Sequence, residues 1–324
     1  MRITNNMIIS NMVKNISNNV TRENKYQTQL STGKKISLPS DDPVVAARAL
    51  KLRTDVSKVE QYQKNISDAQ SWLSATDETL SKINDILQTA REKTVQAANG
   101  TNTPQETQAI AQELKQLKVQ VVHLSNSTYS GRYIFSGFKT DQKLINDDET
   151  SADFGKFAIN VDELVVPATI PPSISKERIF YEVGVGDSIN INITGGDLFN
   201  SQDTDGAIAA KGDTSSMIQM FDNIIASMEA GDSVAISNQL ATIDAEHLNV
   251  LRVRADIGAR QNRMDLTEDR MKSDVVNFTA AMSENEDVDI AETIMNLKNE
   301  ENVYQASLAA GARVIQQSLV DFLR

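Results

Sequence analysis

Four groups of residues carry the types that chemistry uses. They are Ser31-Thr32-Gly33-Lys34-Lys35, Asp203-Thr204-Asp205-Gly206, the acidic run Glu284, Glu286, Asp287 and Asp289, and the histidines His123 and His247. A phosphate-binding loop of the form G-x-x-x-x-G-K-[ST] needs Gly at 28 and Ser or Thr at 35, and those positions hold Thr28 and Lys35. A calcium loop with Gly206 sixth needs a bidentate Glu twelfth, and Gly212 stands there. The acidic run reads as a helix cap, with Asp287 or Asp289 as the capping residue; a cation or a basic patch is the lesser alternative. Neither histidine has a Ser, Asp or second His at a catalytic spacing. The chain has no Cys, so thiolate nucleophiles, thiolate metal sites and disulfides are out. The sequence therefore predicts no catalytic, cofactor-binding or metal-binding residues and no cofactor.

The remaining composition points the same way. A formal charge of −12 gives no reason to bind phosphate backbones or anionic lipid, so neither nucleic acid nor membrane is an expected partner. No apolar run approaches the ~20 residues of a membrane span. Met1 to Val20 is Asn-rich where a secretory signal needs apolar residues, so export, if any, must use no cleaved signal.

What the chain does specify is helix. Val45, Leu52, Val59, Ile66, Leu73, Leu80 and Leu87 recur every seven residues, with Ala49, Val56, Tyr62, Ala69, Ile83 and Ala90 between them. That spacing predicts one long helix with a continuous apolar stripe, which buries Trp72 beside Leu73. Asp42-Pro43 marks its start and Asn99-Gly100 its end. Thr103-Pro104-Gln105-Glu106 is a capping box for a second helix, antiparallel to the first, through Ile110, Leu114, Leu117, Val121 and Leu124. Tyr133-Ile134-Phe135, between Gly131 and Gly137, reads as a strand or a hairpin. From 138 to 205 the pattern is β-like: Leu164-Val165-Val166, Phe180 to Val183, and the strict alternation of Ile189, Ile191 and Ile193. Helix resumes near Thr214 and again from Asp232 to Ser283, with Ile236, Leu240, Ile243, Leu251 and Ala255 as the stripe of the latter. Gly258 interrupts it and predicts a packing site where another backbone approaches closely, a subunit contact among the candidates.

Both ends are amphipathic helices. Ile9, Val13, Ile16, Val20 and Leu30 stripe the first; Ile290, Ile294, Leu297, Tyr304, Leu308, Ile315, Leu319 and Phe322 stripe the last. The two ends are expected to pair with each other and with neighbouring subunits. The fold class is thus mainly α with a β-rich insertion. Residues 1–42 with 284–324 form a terminal coiled-coil assembly domain, 43–137 with 206–283 a helical rod, and 138–205 an outer β-rich domain.

Several stretches together resemble one family. Met1-Arg2-Ile3-Thr4, the segment Leu30 to Ser37 followed by Pro39 to Pro43 and Ala46 to Leu50, Thr94 to Thr101, Gly131 to Gly137, Ile257 to Arg263, and Tyr304 to Leu308 with Leu319 to Arg324 are similar to the hook-associated protein 3 family of the flagellin-like class. The resemblance implies a non-enzymatic subunit of the bacterial flagellum at the hook–filament junction. It further implies contact with the first hook-associated protein and with flagellin, and self-association in a ring or short helical layer. An export chaperone would bind the C-terminal helix, and type III export would carry the chain to the extracellular flagellum without a cleaved signal. The alternative is a flagellin filament subunit, to which the Thr94–Thr101 and Ile257–Arg263 motifs are equally similar.

Overall fold

A computed structural model describes residues 5–99, 102–161, 177–199 and 210–322, with side chains from 7 to 313 in the two terminal helices. The helices are α1 (Asn5–Thr32), α2 (Pro43–Ala98), α3 (Pro104–Ser125), α4 (Gly195–Phe199), α5 (Ser216–Glu229), α6 (Ser233–Glu286) and α7 (Ile290–Phe322). Two antiparallel hairpins, β1 (Thr128–Tyr129) with β2 (Arg132–Tyr133) and β3 (Phe180–Gly184) with β4 (Asp187–Asn190), complete the described elements. The chain is mainly α with long helices, as the periodicities predict. The chain divides into two compact units, residues 1–60 with 272–324 and residues 61–271, and α2 and α6 each contribute to both.

The helix ends follow from local chemistry. Asp42 Oδ1 accepts from Val44 N at 3.0 Å and Val45 N at 3.1 Å, with Pro43 at the first helical position. Thr103 and Glu106 form the expected reciprocal box at the start of α3. At α7 it is Asp289 that caps, accepting from Ala291 N and Glu292 N.

In the second unit α2 and α6 run antiparallel. Gln70 reaches Asp265 at 2.7 Å, Arg254 reaches Asp77 at 2.9 Å, and Arg91 reaches Asp244 at 2.7 Å. Alongside, α3 and α5 are tied by Lys115–Glu229 and Lys118–Asp222, and α2 and α3 by Lys93–Glu113. Between them Ile66, Leu73, Leu80, Ile83 and Leu87 are fully buried against Leu114, Val121, Phe221, Ile224, Ile243 and Ile257 of the same core. Trp72 is buried, as expected.

The α6 stripe is corrected. It runs Ile236, Ile243, Val250, Ile257, Met264 and Met271, a strict heptad of buried residues, whereas Leu251 is 40% exposed and Ala255 is open to solvent. Leu251, eight residues from Ile243, has left the seam, whereas Val250, seven residues on, keeps to it, because paired helices track a 3.5-residue period. At Gly258 a Cβ would meet nothing within 4 Å among the described residues, so the close approach expected there does not come from the described part of this chain.

Only Arg132–Tyr133 of the Gly131–Gly137 motif is a strand, paired with Thr128–Tyr129 just before the motif, and Ile134-Phe135 leave the ladder. Ser130 and Gly131 join the two strands at φ 50° and 78°, the double positive-φ geometry of a two-residue hairpin turn. Ile134 and Phe135 then enter the core, where Phe135 meets Phe199 edge-on at 5.8 Å. Phe180–Gly184 is a strand as predicted, but β4 ends at Asn190, with one further backbone bond from Ile191 N to Ile179 O at 3.0 Å. There the Asn192 side chain bonds Ile179 N and Glu177 O, taking the place of a strand partner. Leu164–Val166, Asp203–Gly206 and Met1–Thr4 lie outside the described residues.

Candidate assembly surface

In the first unit α1 and α7 lie antiparallel. Asn19 Nδ2 donates to Ser307 Oγ at 2.8 Å, Arg22 pairs with Glu300 at 3.0 Å, and Gly311 admits Met12, whose Cε a Cβ there would strike. Among the buried or half-buried positions of α7, Thr293, Leu297, Glu300, Tyr304, Ser307 and Gly311 alternate steps of four and three, with half-buried Asn296 and Glu301 flanking them. This seam is thin and polar: Asn19 and Thr293 are its most buried side chains.

The apolar stripes read from the sequence are split by this pairing. On α1, Ile9, Ile16, Val20 and Leu30 are half-buried, while Val13 is 61% exposed beside exposed Met7 and Ile8. On α7, Leu297 and Tyr304 are half-buried, while Ile290, Ile294 and Leu308 are exposed, with Met295 and Val303. The side chains of Ile315, Leu319 and Phe322 lie outside the described residues. Two helices alone cover only one flank of each other, so an apolar arc wider than the seam is left facing water.

A charged clasp closes the base of this pair. Gly33 ends α1 at φ 69°, a left-handed turn that glycine adopts without a Cβ clash. The chain then pairs with the α6–α7 junction: Lys35 N donates to Glu286 O at 2.7 Å and Val288 N to Gly33 O at 3.0 Å. Lys34 Nζ reaches Asp287 at 2.7 Å and Glu286 at 3.2 Å, and Arg53 on α2 reaches Glu286 at 2.6 Å. The Glu286 side chain is 2% exposed, so its ionised form is held by these cations. Hydrogen bonding from Arg53, against the opposing effect of burial, pulls the Glu286 carboxyl below its ordinary value. The Lys34 hydrogen bond does the same for Asp287, and Asp287 in turn raises Lys34. Thus only Asp289 of the acidic run caps; Glu286 and Asp287 grip the Ser31–Lys35 loop instead. Sequence reasoning saw both partners but not their pairing, because positions 34, 53 and 286 share no local spacing. Next to the clasp, Leu52 and Phe278 floor an open groove of about 610 Å³ rimmed by Arg48, Lys51, Asp55 and Glu284.

His123 is exposed and His247 half-buried, and among the described residues no group of three or more His, Asp or Glu could hold a metal. Nor is any described helix long and apolar enough to cross a membrane.

Residues 3–140 match the model of the bacterial flagellin N-terminal helical region, and residues 240–323 that of the C-terminal helical region. The chain is 28% identical to the flagellar hook-associated protein 3 of Escherichia coli strain K12, covering 96% of each. It is also 28% identical to the flagellin of Bacillus subtilis strain 168, over 98% of this chain and 97% of that one. Among solved structures, the hook associated protein-3 of Legionella pneumophila superposes with a TM-score of 0.57 at 15% identity, covering 72% of this chain and 97% of that one, a likeness of fold.

Proposed function

The chain belongs to the flagellin family of bacterial flagellar proteins, and from that premise we propose that it is the junction subunit joining hook to filament. It is a structural component of the flagellum. The observation that carries the reading is the pairing of α1 with α7, which leaves Met7, Ile8, Val13, Ile290, Ile294, Met295, Val303 and Leu308 uncovered. An exposed apolar face on paired helices is a surface built to be buried by another molecule. Head-to-tail contacts would arrange such subunits in a ring where the rotation closes, or in a short helical layer where it does not. In this reading the assembly residues are Ile9, Val13, Ile16, Val20 and Leu30 of α1 and the Ile290-to-Phe322 stripe of α7. The terminal segments 1–42 and 284–324 serve as the assembly domain, 43–137 with 206–283 as the rod and 138–205 as the outer domain. The neighbours are the first hook-associated protein below and flagellin above, with an export chaperone on the C-terminal helix before type III export. The chain has no catalytic role.

A flagellin is the second reading, favoured by the match to the Bacillus subtilis flagellin. Deleting the gene separates the two. Intact hooks that shed flagellin into the medium would establish the junction role. Hooks that retain the junction layer but carry no filament subunit would establish a flagellin, and unaltered filaments would sink both. Removing residues 290–324 is expected to leave an expressed chain that cannot support filament attachment; normal attachment would refute the assembly role of α7.

A further inference from the structure

The first unit holds two helix pairs, and the chain crosses between them twice. One pair is α1 with α7, tied by Asn19–Ser307 and Arg22–Glu300. The other is the start of α2 with the end of α6, where Asn285 Nδ2 donates to Val45 O at 3.1 Å. Residues 33–42 make one crossing and residues 287–289 the other.

Both crossings end in rigid caps. On the first, Asp41 Oδ2 accepts from Ser37 N at 3.1 Å, Ser37 Oγ at 3.2 Å and Leu38 N at 2.9 Å, just ahead of the Asp42 cap of α2. On the second, Asp289 caps α7. Between the caps remain Gly33 to Ile36 on one crossing and Asp287 with Val288 on the other. These stretches run antiparallel with Lys34 opposite Asp287. Among the described residues, two backbone bonds join them to each other and to the end of α6, Lys35 N to Glu286 O and Val288 N to Gly33 O. Gly33 turns at φ 69°, with nothing within 4 Å of where a Cβ would stand. So short a ribbon, with a glycine at its turn, can absorb backbone rotation that the flanking helices cannot.

Its side-chain fastening is incomplete. Lys34 and Arg53 both reach Oε2 of Glu286, while Oε1 is buried with no hydrogen bond among the described residues. A buried carboxylate satisfied at one oxygen holds less firmly than one satisfied at both. Arg53 stands on α2 and Lys34 on the crossing, so this carboxylate fixes the crossing to one helix pair. Both cations keep contact with water, which can replace them when the carboxylate lets go.

We propose that α1 and α7 turn as one body on this two-stranded hinge, with Glu286 as its lock. The fold thereby keeps the α1–α7 pairing at whatever angle the pair takes to α2 and α6. The device goes beyond the reading of the chain as a junction subunit, since it belongs to the free chain.

The chain has no Cys, so spin labels report only from positions where Cys is introduced. In the purified full chain, labels on Lys14→Cys and Lys298→Cys span α1 and α7, and labels on Lys58→Cys and Lys298→Cys span the hinge. Pulsed dipolar spectroscopy is expected to give a narrow distance distribution for the first label pair, with or without Glu286→Gln. For the second label pair, Glu286→Gln is expected to widen the distribution about twofold. Lys34→Gln, which keeps the buried carboxylate and Arg53, replaces Glu286→Gln if that variant unfolds, and the same widening is expected of it. A second label pair that does not widen in the folded variant overturns the hinge. Widening of both label pairs together, or a broad first pair in the unsubstituted chain, overturns it as well, because α1 and α7 would then move separately. Gene deletion does not bear on these distances, so the hinge and the junction role fail independently.

Discussion

One helix, α2, passes through both units, and its apolar stripe fares differently in each. In residues 61–98, Ile66, Leu73, Leu80 and Leu87 are wholly buried; in residues 43–60, Val45 and Leu52 are only half-buried and Val59, nearest the second unit, is 8% exposed. The spacing is the same in both. The second unit surrounds its stripe with α3, α5, α6 and the chain around Phe135, while the first supplies helix pairs alone. Periodicity sets which face is apolar, but the number of neighbouring elements sets how deeply it is buried. The shallow half is also where the α1–α7 seam is polar and the exposed apolar residues collect, the pattern of a region completed by other molecules.

That contrast is open to measurement. Leu80→Ala, in the deep half, is expected to destabilise the purified chain by about 2–5 kcal/mol, read as a fall in the midpoint of thermal unfolding. A cost no larger than that of Leu52→Ala would erase the distinction between the halves.

Glu286→Gln should cost about 1–2 kcal/mol, since Arg53 and Lys34 are partly exposed and can rehydrate. It should speed hydrogen exchange at Lys35 and Val288 while sparing the second unit. The same amides report the pH dependence. Glu286 and Asp287 titrate below their ordinary values in the folded chain, so their stabilisation is full above the ordinary carboxylate range and is lost as pH falls through the lowered values. Lys34 is raised, so its share persists through neutral pH and disappears only at strongly alkaline pH. Exchange protection unchanged on acidification would mean the clasp is not what holds the loop.

Thr103→Ala removes one side of a capping box and is expected to cost about 1 kcal/mol, confined to unfolding of the second unit. Gly258→Ala should raise the stability of the free chain by about 0.4–1 kcal/mol, because a Cβ there has open space. Loss of filament attachment in that stabilised variant would locate an intermolecular contact at Gly258, and unimpaired attachment would exclude one. Smallest of all, Val13→Ala and Leu308→Ala should change monomer stability by less than about 0.5 kcal/mol. The same two variants should weaken assembly in cells, and a large monomer effect with intact assembly would reverse the reading of those faces.

Much of this was written locally. Asp42-Pro43, the Thr103–Glu106 box and Asp289 each place a helix start by hydrogen bonds within a few residues, and the heptad from Val45 to Leu87 needs only one helix to be read. The failures share one cause. Leu251 was placed in the seam and Met264 and Met271 were not, because the partner helix, absent from any local window, selects the seven-residue step. Gly258 predicted a close approach that no described backbone of this chain makes, since propensity records the cost of glycine and not its neighbour. The seam residues Asn19, Glu300 and Ser307 went unnoticed because they are polar, and only a facing helix makes them interior.

The sequence by itself determined the helices, their caps, the two amphipathic ends and the absence of local catalytic motifs, all of which rest on interactions spanning a turn or two. Only the tertiary structure decided that Lys34 and Arg53 would share Glu286, that the α1–α7 seam would be polar, and that Trp72, Tyr129, Arg132 and Tyr181 would meet. Those pairings join residues tens to hundreds of positions apart, and their energies exist only once the chain has brought both sides together.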